Sequence, residues 1–294
     1  MANTSFSGPV RSKKGHKIYS VADSTGLEAD RTLHDAGLKD TRRFYLEEWF
    51  LQRPGLNANI DQASTVEVQR ALNRNWEALG TNMTTALCTF NTTSAGFVAT
   101  TAGADQDQAI LTPHLDTAAT AWAGCLWGTE NQVHFETSIA LPAIDNQNVW
   151  AGLKLTNAPE VATDANQAYF NFLTDADNSG QTYTDFTKLH FVHSIANTDY
   201  ISQLPITVAA STIYHLKIVF DSSRKMSIFV NGEQYNITST SGSTGGTAVT
   251  TGDTKSAAMT NDIDLIPYIG IEANAGAAEA VHCHYVAMSR IINE

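Results

Sequence analysis

The stretch from Thr212 to Ile237, TIYHLKIVFDSSRKMSIFVNGEQYNI, decides the fold class of this chain. From Tyr214 to Phe220 apolar and polar side chains alternate, which is the period of a half-buried strand. The turn Asp221–Ser223 breaks the run, and a second alternating run follows it. Asn231-Gly232 then suits the positive φ angles of a type I′ hairpin turn and leads into a third run. The stretch therefore predicts a three-stranded antiparallel meander.

Short runs rich in aromatic and β-branched residues recur from about Asn75 onward, separated by Asn, Ser, Thr and Gly. Strands at such spacing predict a β-sandwich or barrel, without helices after residue 80. The long Ser/Thr/Gly stretch Thr238–Lys255 is predicted to be a surface loop, mobile unless a neighbour holds it. Besides the meander, the predicted strands are Leu87–Phe90, Phe97–Thr101, Ala109–Leu111, Gln132–Leu141, Val149–Leu155, Gln167–Leu173, Leu189–His193, Leu265–Glu272 and His282–Ile292.

The order of strand, Asp-containing turn, strand, Val-Asn-Gly and strand in the meander resembles the late strands of concanavalin A-like jelly rolls. That superfamily includes laminin G-like modules, legume lectins and some glycanases. The resemblance implies an all-β, concanavalin A-like jelly-roll sandwich with an extended N-terminal arm and a short helical segment. It implies little about function, because one fold serves many functions.

The charge of the chain argues against a nucleic-acid partner. Its 294 residues include 30 acidic and 18 basic ones, for a formal net charge of -12, whereas binding to phosphates needs basic patches. No apolar run approaches the roughly 20 residues that cross a bilayer, so we expect no membrane partner. The start, MANTSFSGPVRSKKGHK, has no apolar core after its basic residues, and we expect synthesis in a cytoplasm.

The three cysteines, Cys88, Cys125 and Cys283, lie far apart and in no CxxC spacing. An odd number in a chain made in a cytoplasm predicts reduced, buried thiols in preference to a disulfide or a metal site.

The basic residues are concentrated at the N-terminus. Nine of the 18 fall in the first 53 positions, where Gly and Pro interrupt any apolar periodicity. We divide the chain into a basic arm with an aromatic anchor (1–60), a short helical connector (61–74) and the sandwich (75–294). Either the arm is a disordered tail, or it becomes ordered on the surface of a partner.

Six large apolar residues cluster between Phe44 and Leu51, which is too apolar for a free tail. Asp40 or Thr41 can cap a short helix here that Pro54-Gly55 would stop. The cluster can anchor on a partner or on the chain's own sandwich. Further on, Ser64–Glu67 is typical of a capping box and predicts a helix over Thr65–Asn73, although extended chain also fits.

The phrases NWEALGTNMTTAL, TTAGADQDQAILTPHLDT and WGTENQV in the block Asn75–Val133 resemble virion proteins of tailed phages. In that family a basic stretch similar to Gly8–Ser12 also precedes the sandwich. The resemblance implies a non-enzymatic capsid decoration (cement) protein on the virion surface, synthesised in the cytoplasm of the bacterial host. It would bind the major capsid protein, form a homo-oligomer or contact neighbouring copies, and need no cofactor. The expected partner-binding residues are Arg11, Lys13, Lys14, Lys17, Phe44, Tyr45, Trp49 and Phe50.

The sequence offers little for catalysis. Glycanases of this fold place carboxylates at alternating positions on one strand, as in Glu-x-Asp-x-x-Glu, so that they reach one sugar-binding face. This chain has no such triplet, and it has no GxSxG elbow between a strand and a helix. We therefore predict that it is not an enzyme.

The sequence contains one candidate metal site. Asp175, Asp177 and Ser179 with Gly180 match the first half of a calcium loop. The twelfth position is Phe186 where Glu is expected, so an Asx-rich turn competes with a calcium site. His282 and His284 would share a strand face, whereas His190 and His193 would not. Without a fourth ligand, we expect these histidines to be structural.

Carbohydrate binding is the alternative function. Trp122, Trp127 and Trp150 can stack on sugars, or they can be core residues. A lectin-like virion adhesin or fibre protein would bind host glycan with the same fold. Adhesins usually need a trimerising stalk, and the sequence has no heptad or fibrous repeat.

Overall fold

The computed structural model describes residues 43–50, 55–56, 76–90, 96–113, 126–156, 164–175 and 182–292. The chain divides into two units, Met1–Phe44 with Ile292–Glu294 and Tyr45–Ile291. Of the first unit only Arg43, Phe44 and Ile292 are described, and nearly all of the described strand residues belong to the second. The described residues form eighteen strands and two short 3-10 turns, Thr85–Leu87 and Thr129–Asn131. None of them belongs to a helix that is long and apolar enough to cross a membrane.

The meander lies at one edge of an eight-stranded antiparallel sheet. Asn231 and Gly232 have φ angles of 52° and 83°, as the type I′ turn requires. Leu216 pairs with Val230 and Ile228 with Tyr235, so the predicted alternation and turn are confirmed. In spatial order the sheet contains β15 (Glu233–Tyr235), β14 (Met226–Val230), β13 (Ile213–Phe220), β8 (His134–Ala140), β18 (Ala280–Ile291), β5 (Phe97–Thr100) and β4 (Cys88–Phe90), and β1 (Arg43–Glu48) also pairs with β18.

The second sheet has ten strands, and its middle strands are buried along their whole length. In spatial order it contains β16 (Thr247–Ala248), β12 (Thr198–Thr207), β11 (Lys188–Ile195), β10 (Gln167–Leu173), β9 (Gln147–Lys154), β17 (Asp264–Ala273), β6 (Gln108–Thr112), β3 (Glu77–Leu79) and β2 (Gly55–Leu56), and β7 (Trp127–Gly128) pairs with β17.

The two sheets pack face to face around an apolar core. From the ten-stranded sheet, Val149, Phe170 and Leu189 point inward and meet Ile139 and Leu216 of the eight-stranded sheet. Because side chains alternate along a strand, the neighbours of these inward residues point to the opposite side of the ten-stranded sheet. The expected all-β jelly-roll sandwich is confirmed.

One predicted element is wrong. The segment after Asp40 and Thr41 was expected to form a short helix, but Arg43–Glu48 is strand β1. An isolated helix of two turns is marginal in water, and pairing with β18 gives the same backbone groups partners in a sheet. The predicted connector 61–74 and the arm residues 1–42 lie outside the described residues. β1 and β2 extend the sheets N-terminal to the predicted boundary at residue 75.

The predicted loop Thr238–Lys255 is held by its own chain. Asn236 accepts a hydrogen bond from the Thr254 amide at 2.9 Å and donates to the Thr250 hydroxyl at 3.2 Å. The Thr238 amide donates to the Ser202 hydroxyl at 3.0 Å, and β16 pairs in parallel with β12. The pattern did not reveal β12 itself, because its Asp199 and Pro205 are typical of loops.

The cysteines behave as expected where they are described. Cys88 and Cys283 are reduced and buried, and burial raises the pKa of the Cys283 thiol to about 12. Cys125 lies outside the described residues.

Candidate functional site

Polar and aromatic side chains collect on the side of the ten-stranded sheet that points away from the core, which we call the outer face. The strand register aligns six positions of this face into one line across the sheet. We call this line the Trp150 row, and it consists of Ile110, Gly270, Trp150, Asn171, His190 and Gln203. Neighbouring strands are about 4.8 Å apart, so the row from Trp150 to Gln203 spans about 14 Å.

The centre of the outer face is a pair of stacked aromatic rings. Trp150 on β9 faces Gly270 on β17, and Tyr268 on β17 faces Gly152 on β9. The two ring planes differ by 16°, with centroids 6.0 Å apart. A Cβ at position 270 would lie 2.6 Å from the Trp150 ring, so the indole occupies space that only a glycine leaves. Gly270 therefore lets the indole lie close to the sheet, whereas a Cβ on Gly152 would meet Ala168 and Tyr169 of the neighbouring strand β10.

A hydrogen-bond network adjoins the indole on β10. The Asn171 amide donates to the Asn148 side-chain oxygen at 2.7 Å and to the Val149 carbonyl at 2.9 Å. Its own oxygen accepts a hydrogen bond from the Tyr183 hydroxyl. These contacts fix the orientation of Asn171 in the middle of the Trp150 row.

His190 follows Asn171 in the row and is fully buried. Its ring stacks on Tyr183 with a centroid distance of 3.8 Å. Burial lowers the pKa of His190 to about 4, against a smaller opposing effect of the Lys188 backbone and the Gln203 side chain. Neither ring nitrogen makes a hydrogen bond of acceptable geometry to a described residue. The imidazole is therefore neutral at pH 7 and offers one donor and one acceptor.

Two further buried groups of this face lack a protein partner within the described part of the chain. They are the Trp150 indole N–H and the Gln167 side-chain oxygen. The Gln167 amide itself donates to the Ser194 hydroxyl at 2.9 Å, and that hydroxyl donates to Asp199 at 2.5 Å. Buried polar groups are nearly always paired, so the unpaired ones on this face make it a candidate functional site.

The charged groups of the outer face are arranged in pairs. The Lys154 ammonium is fully buried, 3.9 Å from an Asp164 oxygen and 4.8 Å from the centroid of the Tyr268 ring. Asp164 also accepts hydrogen bonds from the Leu155 and Thr156 amides at 3.0 Å. Glu272, at the other end of β17, accepts a hydrogen bond from Gln108 at 2.5 Å. Opposite charges and amides thus surround the aromatic centre.

Two segments of the described chain lie over the His190 end of the row. Tyr183 covers the imidazole, and a Cβ on Gly246 would approach His190 and Ile201 to 3.3 and 3.1 Å. The Gly245 amide donates to the Thr182 carbonyl at 2.9 Å, which joins the two segments. Trp150, Tyr169 and Tyr268 are buried together with Tyr183 in one apolar cluster, so the row is closed to solvent in this structure.

The predicted partner-binding residues that the structure describes differ in their exposure to solvent. Phe50 is buried, with its ring 5.8 Å from Phe97 and 6.3 Å from Trp76, so it belongs to the chain's own core. Trp49 is 56% exposed and stacks on Tyr285 at 5.0 Å. Phe44 and Tyr45 are half-buried in β1. The basic residues Arg11, Lys13, Lys14 and Lys17 lie outside the described residues.

The predicted calcium loop is only partly described. Asp175 accepts hydrogen bonds from Asn274 at 2.9 Å and Thr174 at 3.2 Å, while Asp177 and Ser179 lie outside the described residues. Within the described ranges no three His, Cys, Asp or Glu side chains come close enough to hold a metal. As expected, His190 and His193 point to opposite sides of the sheet, because the core residue Phe191 shares the parity of His193.

The outer face was not identified from the sequence. The available signal was the repeated aromatic-x-Gly spacing, Trp150-x-Gly152 and Tyr268-x-Gly270. Trp150, one of the tryptophans that the sequence offers for sugar stacking, lies at the centre of the face. Trp127 is buried in β7, and Trp122 lies outside the described residues.

No protein-family model matches the chain, and no curated protein sequence matches it. Similar folds are found among solved structures. The alginate lyase AlgAT5 of polysaccharide lyase family 7 is 10% identical, with a TM-score of 0.41 over 71% of this chain and 84% of the lyase. A Bacillus licheniformis β-glucanase is 11% identical, with a TM-score of 0.46 over 83% and 97%. Peanut lectin is 9% identical, with a TM-score of 0.47 over 86% and 99%.

These neighbours have concanavalin A-like jelly-roll folds, as the meander predicted. They also correct one prediction. The expectation that the chain is not an enzyme does not stand, since a lyase and a glucanase are among the proteins that resemble it in fold. At such low identity the likeness brings neither their activity nor their substrates to this chain. The resemblance to phage virion proteins gains no support from these structures.

Proposed function

We propose that the chain binds carbohydrate on the outer face of its ten-stranded sheet. The observation that carries the proposal is the Trp150 row, in which an indole lies beside an amide and a neutral imidazole. Aromatic rings pack on the apolar faces of sugars, and amides and imidazoles bind their hydroxyls. This is the carbohydrate-binding alternative raised by the sequence, with a glycan as the expected partner.

The unpaired groups favour a ligand-binding role for this face over a purely structural one. A buried donor or acceptor without a partner costs about 1–3 kcal/mol, and a hydroxyl-rich ligand would remove that cost. The Trp150 N–H and the Gln167 oxygen have no described hydrogen-bond partner, and the His190 nitrogens have none of acceptable geometry, although the Lys188 backbone and the Gln203 side chain lie near that ring.

The test is a matched pair of variants on β11. His190→Phe removes the two ring nitrogens on the outer face, whereas His193→Phe makes the same change on the core side three residues along. We expect glycan binding, measured on an oligosaccharide array and then by calorimetry, to weaken about tenfold or more in the first variant. It should be unchanged in the second.

Equal affinity of both variants would remove the outer face as the binding site. The same mixtures are assayed for new reducing ends and for unsaturated products. Release of either product would add catalysis to binding and would be lost in the same variant.

A second role is proposed for the N-terminal region, as part of a virion surface that contacts the major capsid protein. Trp49 favours it, because an indole that remains 56% exposed while stacked on Tyr285 is suited to a partner contact. The expected contact set is Trp49 together with Arg11, Lys13, Lys14 and Lys17.

Co-sedimentation with undecorated phage capsids tests this second role. Trp49→Ala should reduce the bound fraction, whereas Phe90→Ala, which removes an exposed aromatic from β4, should leave it unchanged. A bound fraction that is the same in wild type and in both variants would exclude Trp49 from the interface.

A further inference from the structure

We propose that Trp49 and its neighbours on the eight-stranded sheet bind an arginine side chain of a partner protein. For the place of the contact this rests on the second proposed role, and it adds the chemistry of the partner. We call the surface the Trp49 patch, and it consists of Trp49, Tyr285, His215, Glu47, Glu136 and Lys217.

The strand register brings four residues of the patch together on the side of the sheet that points away from the core. Lys217 on β13 pairs with Glu136 on β8, and His215 and Tyr285 both lie opposite Ser138 in the adjacent row. None of the four is buried, since His215 is exposed and the other three are half-buried. The patch is therefore a surface that a partner can reach without any movement of the chain.

The Trp49 indole is fixed above Tyr285. The residue that follows it, Phe50, is buried in the core with a φ angle of 51°, and its amide donates to the Glu48 carboxylate at 2.7 Å. The indole stacks on the Tyr285 ring with centroids 5.0 Å apart and planes at 26°. Because Tyr285 covers one face of the indole, the exposed 56% of Trp49 belongs to the opposite face and the ring edges. A ligand thus meets a flat aromatic surface that is already ordered.

The charge near this open ring is negative. Glu47, two residues before Trp49, is exposed, and Glu136 accepts a hydrogen bond from the Tyr285 hydroxyl. The Lys217 ammonium lies 3.3 Å from a Glu136 oxygen, so the cation of the patch is compensated by a carboxylate of the same patch. The patch therefore combines an electron-rich ring face with excess negative charge, which is the environment that attracts a cation.

A guanidinium group matches both features. It is planar, stacks on aromatic faces, and donates to carboxylates through a fork of N–H groups. Tryptophan is the best ring for such cation–π contacts, and arginine takes part in them more often than lysine. A neutral ligand would stack on Trp49 but leave the carboxylates without an ionic partner. Arginine is therefore the ligand that the patch fits.

The experiment uses the full-length protein and three capped hexapeptides in which glycine alternates with arginine, lysine or citrulline. Citrulline has the shape of arginine without its charge. Affinity is measured by calorimetry at about 150 mM NaCl, where charges more than about 8 Å apart are largely screened. We expect the arginine peptide to bind at least about twofold more tightly than the lysine peptide, and the citrulline peptide not to bind at millimolar concentration.

Four variants locate the contact. Trp49→Leu should weaken binding of the arginine peptide about two- to fivefold, and Trp49→Phe, which keeps a ring against Tyr285, should weaken it less. Glu136→Gln removes a charge from the patch while an oxygen remains to accept the Tyr285 hydrogen bond, and it should weaken binding about twofold. The matched control is Glu233→Gln, which removes an exposed carboxylate from β15, four strands or about 19 Å from β18, and should leave affinity unchanged.

Several outcomes would overturn the proposal. Citrulline or lysine peptides that bind as tightly as the arginine peptide would remove arginine as the recognised group. Equal affinity of wild type and Trp49→Leu, or equal effects of the two Glu→Gln variants, would show attraction to the acidic chain as a whole and remove the site. Self-association of the wild type in sedimentation velocity, lost in Trp49→Leu, would identify a second copy of this chain as the occupant.

The peptide experiment and the capsid experiment can fail separately. Capsid binding that depends on Trp49, without binding of any peptide, would keep the second proposed role and remove the arginine contact. Binding of the arginine peptide that depends on Trp49, without binding to capsids, would keep the arginine contact and remove the capsid as its partner.

Discussion

Replacing His190 and His193 together by phenylalanine should reduce the loss of unfolding free energy that this protein undergoes between pH 8 and pH 5. Both imidazoles are buried in β11, His190 on the outer face and His193 against Tyr200, with ring centroids 4.7 Å apart. Burial lowers their pKa values from 6.5 to about 4 and about 3. In the unfolded chain each histidine takes up a proton near pH 6.5, whereas in the folded protein neither does so above pH 5.

The sign of the effect follows from this difference in bound protons. The unfolded state binds more protons below pH 6.5, so stability is complete above that pH and decreases as the pH falls toward 4. At pH 5 each unfolded histidine is almost fully protonated and each folded one is almost neutral, which costs about 2 kcal/mol per residue. The wild type should therefore lose about 4 kcal/mol between pH 8 and pH 5 through these two groups.

Two acidic residues whose pKa values are raised act in the opposite direction, whereas Asp185 and Asp221, whose pKa values are lowered, act in the same direction as the histidines. Burial and neighbouring carboxylates raise the pKa of Asp264 and Glu279, so protonation of these groups favours the folded state as the pH falls. Because they are present in every variant, their effect cancels when wild type and variant are compared at the same pH.

The assay is urea unfolding followed by tryptophan fluorescence at pH 8, 7, 6 and 5. The double variant should retain about 4 kcal/mol more of its pH 8 stability at pH 5 than the wild type does, and each single variant about half of that. Equal losses in wild type and double variant would refute the reasoning, because they would show that both imidazoles are protonated or solvated in the folded state.

Three more predictions concern other parts of the chain. Gly270→Ala places a Cβ 2.6 Å from the Trp150 ring and should weaken glycan binding about tenfold by displacing the indole, with a tryptophan fluorescence shift as the independent readout. Asn236→Ala removes side-chain bonds to Thr250, Thr251 and Thr254 and should destabilise the fold by about 1–2 kcal/mol. Faster trypsin cleavage at Lys255 would show this destabilisation, and an unchanged cleavage rate would contradict the prediction. Cys88 and Cys283 should resist iodoacetamide at pH 8 in the folded protein and react in urea, as peptide mapping would detect.

The meander could be predicted from the sequence because its information is local. Period-two alternation marks each strand, and Asn231-Gly232 fixes the turn that joins two of them. Strands β9 and β10 were also found, although they are buried on both faces and show no alternation of polarity. Their β-branched and aromatic composition was sufficient to identify them.

The outer face could not be predicted, because it depends on which strands pair and in what register. Trp150 and His190 are 40 positions apart in sequence, and only the order β9, β10, β11 brings them into one row. A shift of one residue in any pairing would move one of them to the core side. Composition alone cannot distinguish a polar residue on a binding face from one in an exposed loop, so the buried amides of β10 gave no signal.

The unpaired groups of the outer face lead to a last prediction, in which one substitution keeps or raises stability while it weakens glycan binding. If a ligand normally satisfies them, the free protein bears the cost of burying them, and removing them should stabilise it. His190→Phe keeps a flat ring against Tyr183 while eliminating both unpaired nitrogens. At pH 8, where no protonation difference contributes, the variant should unfold at a urea midpoint equal to or higher than that of the wild type, although it binds glycan less tightly. A loss of more than about 1 kcal/mol at that pH would mean that the nitrogens already have partners in the folded protein, and no ligand would then be needed to satisfy them.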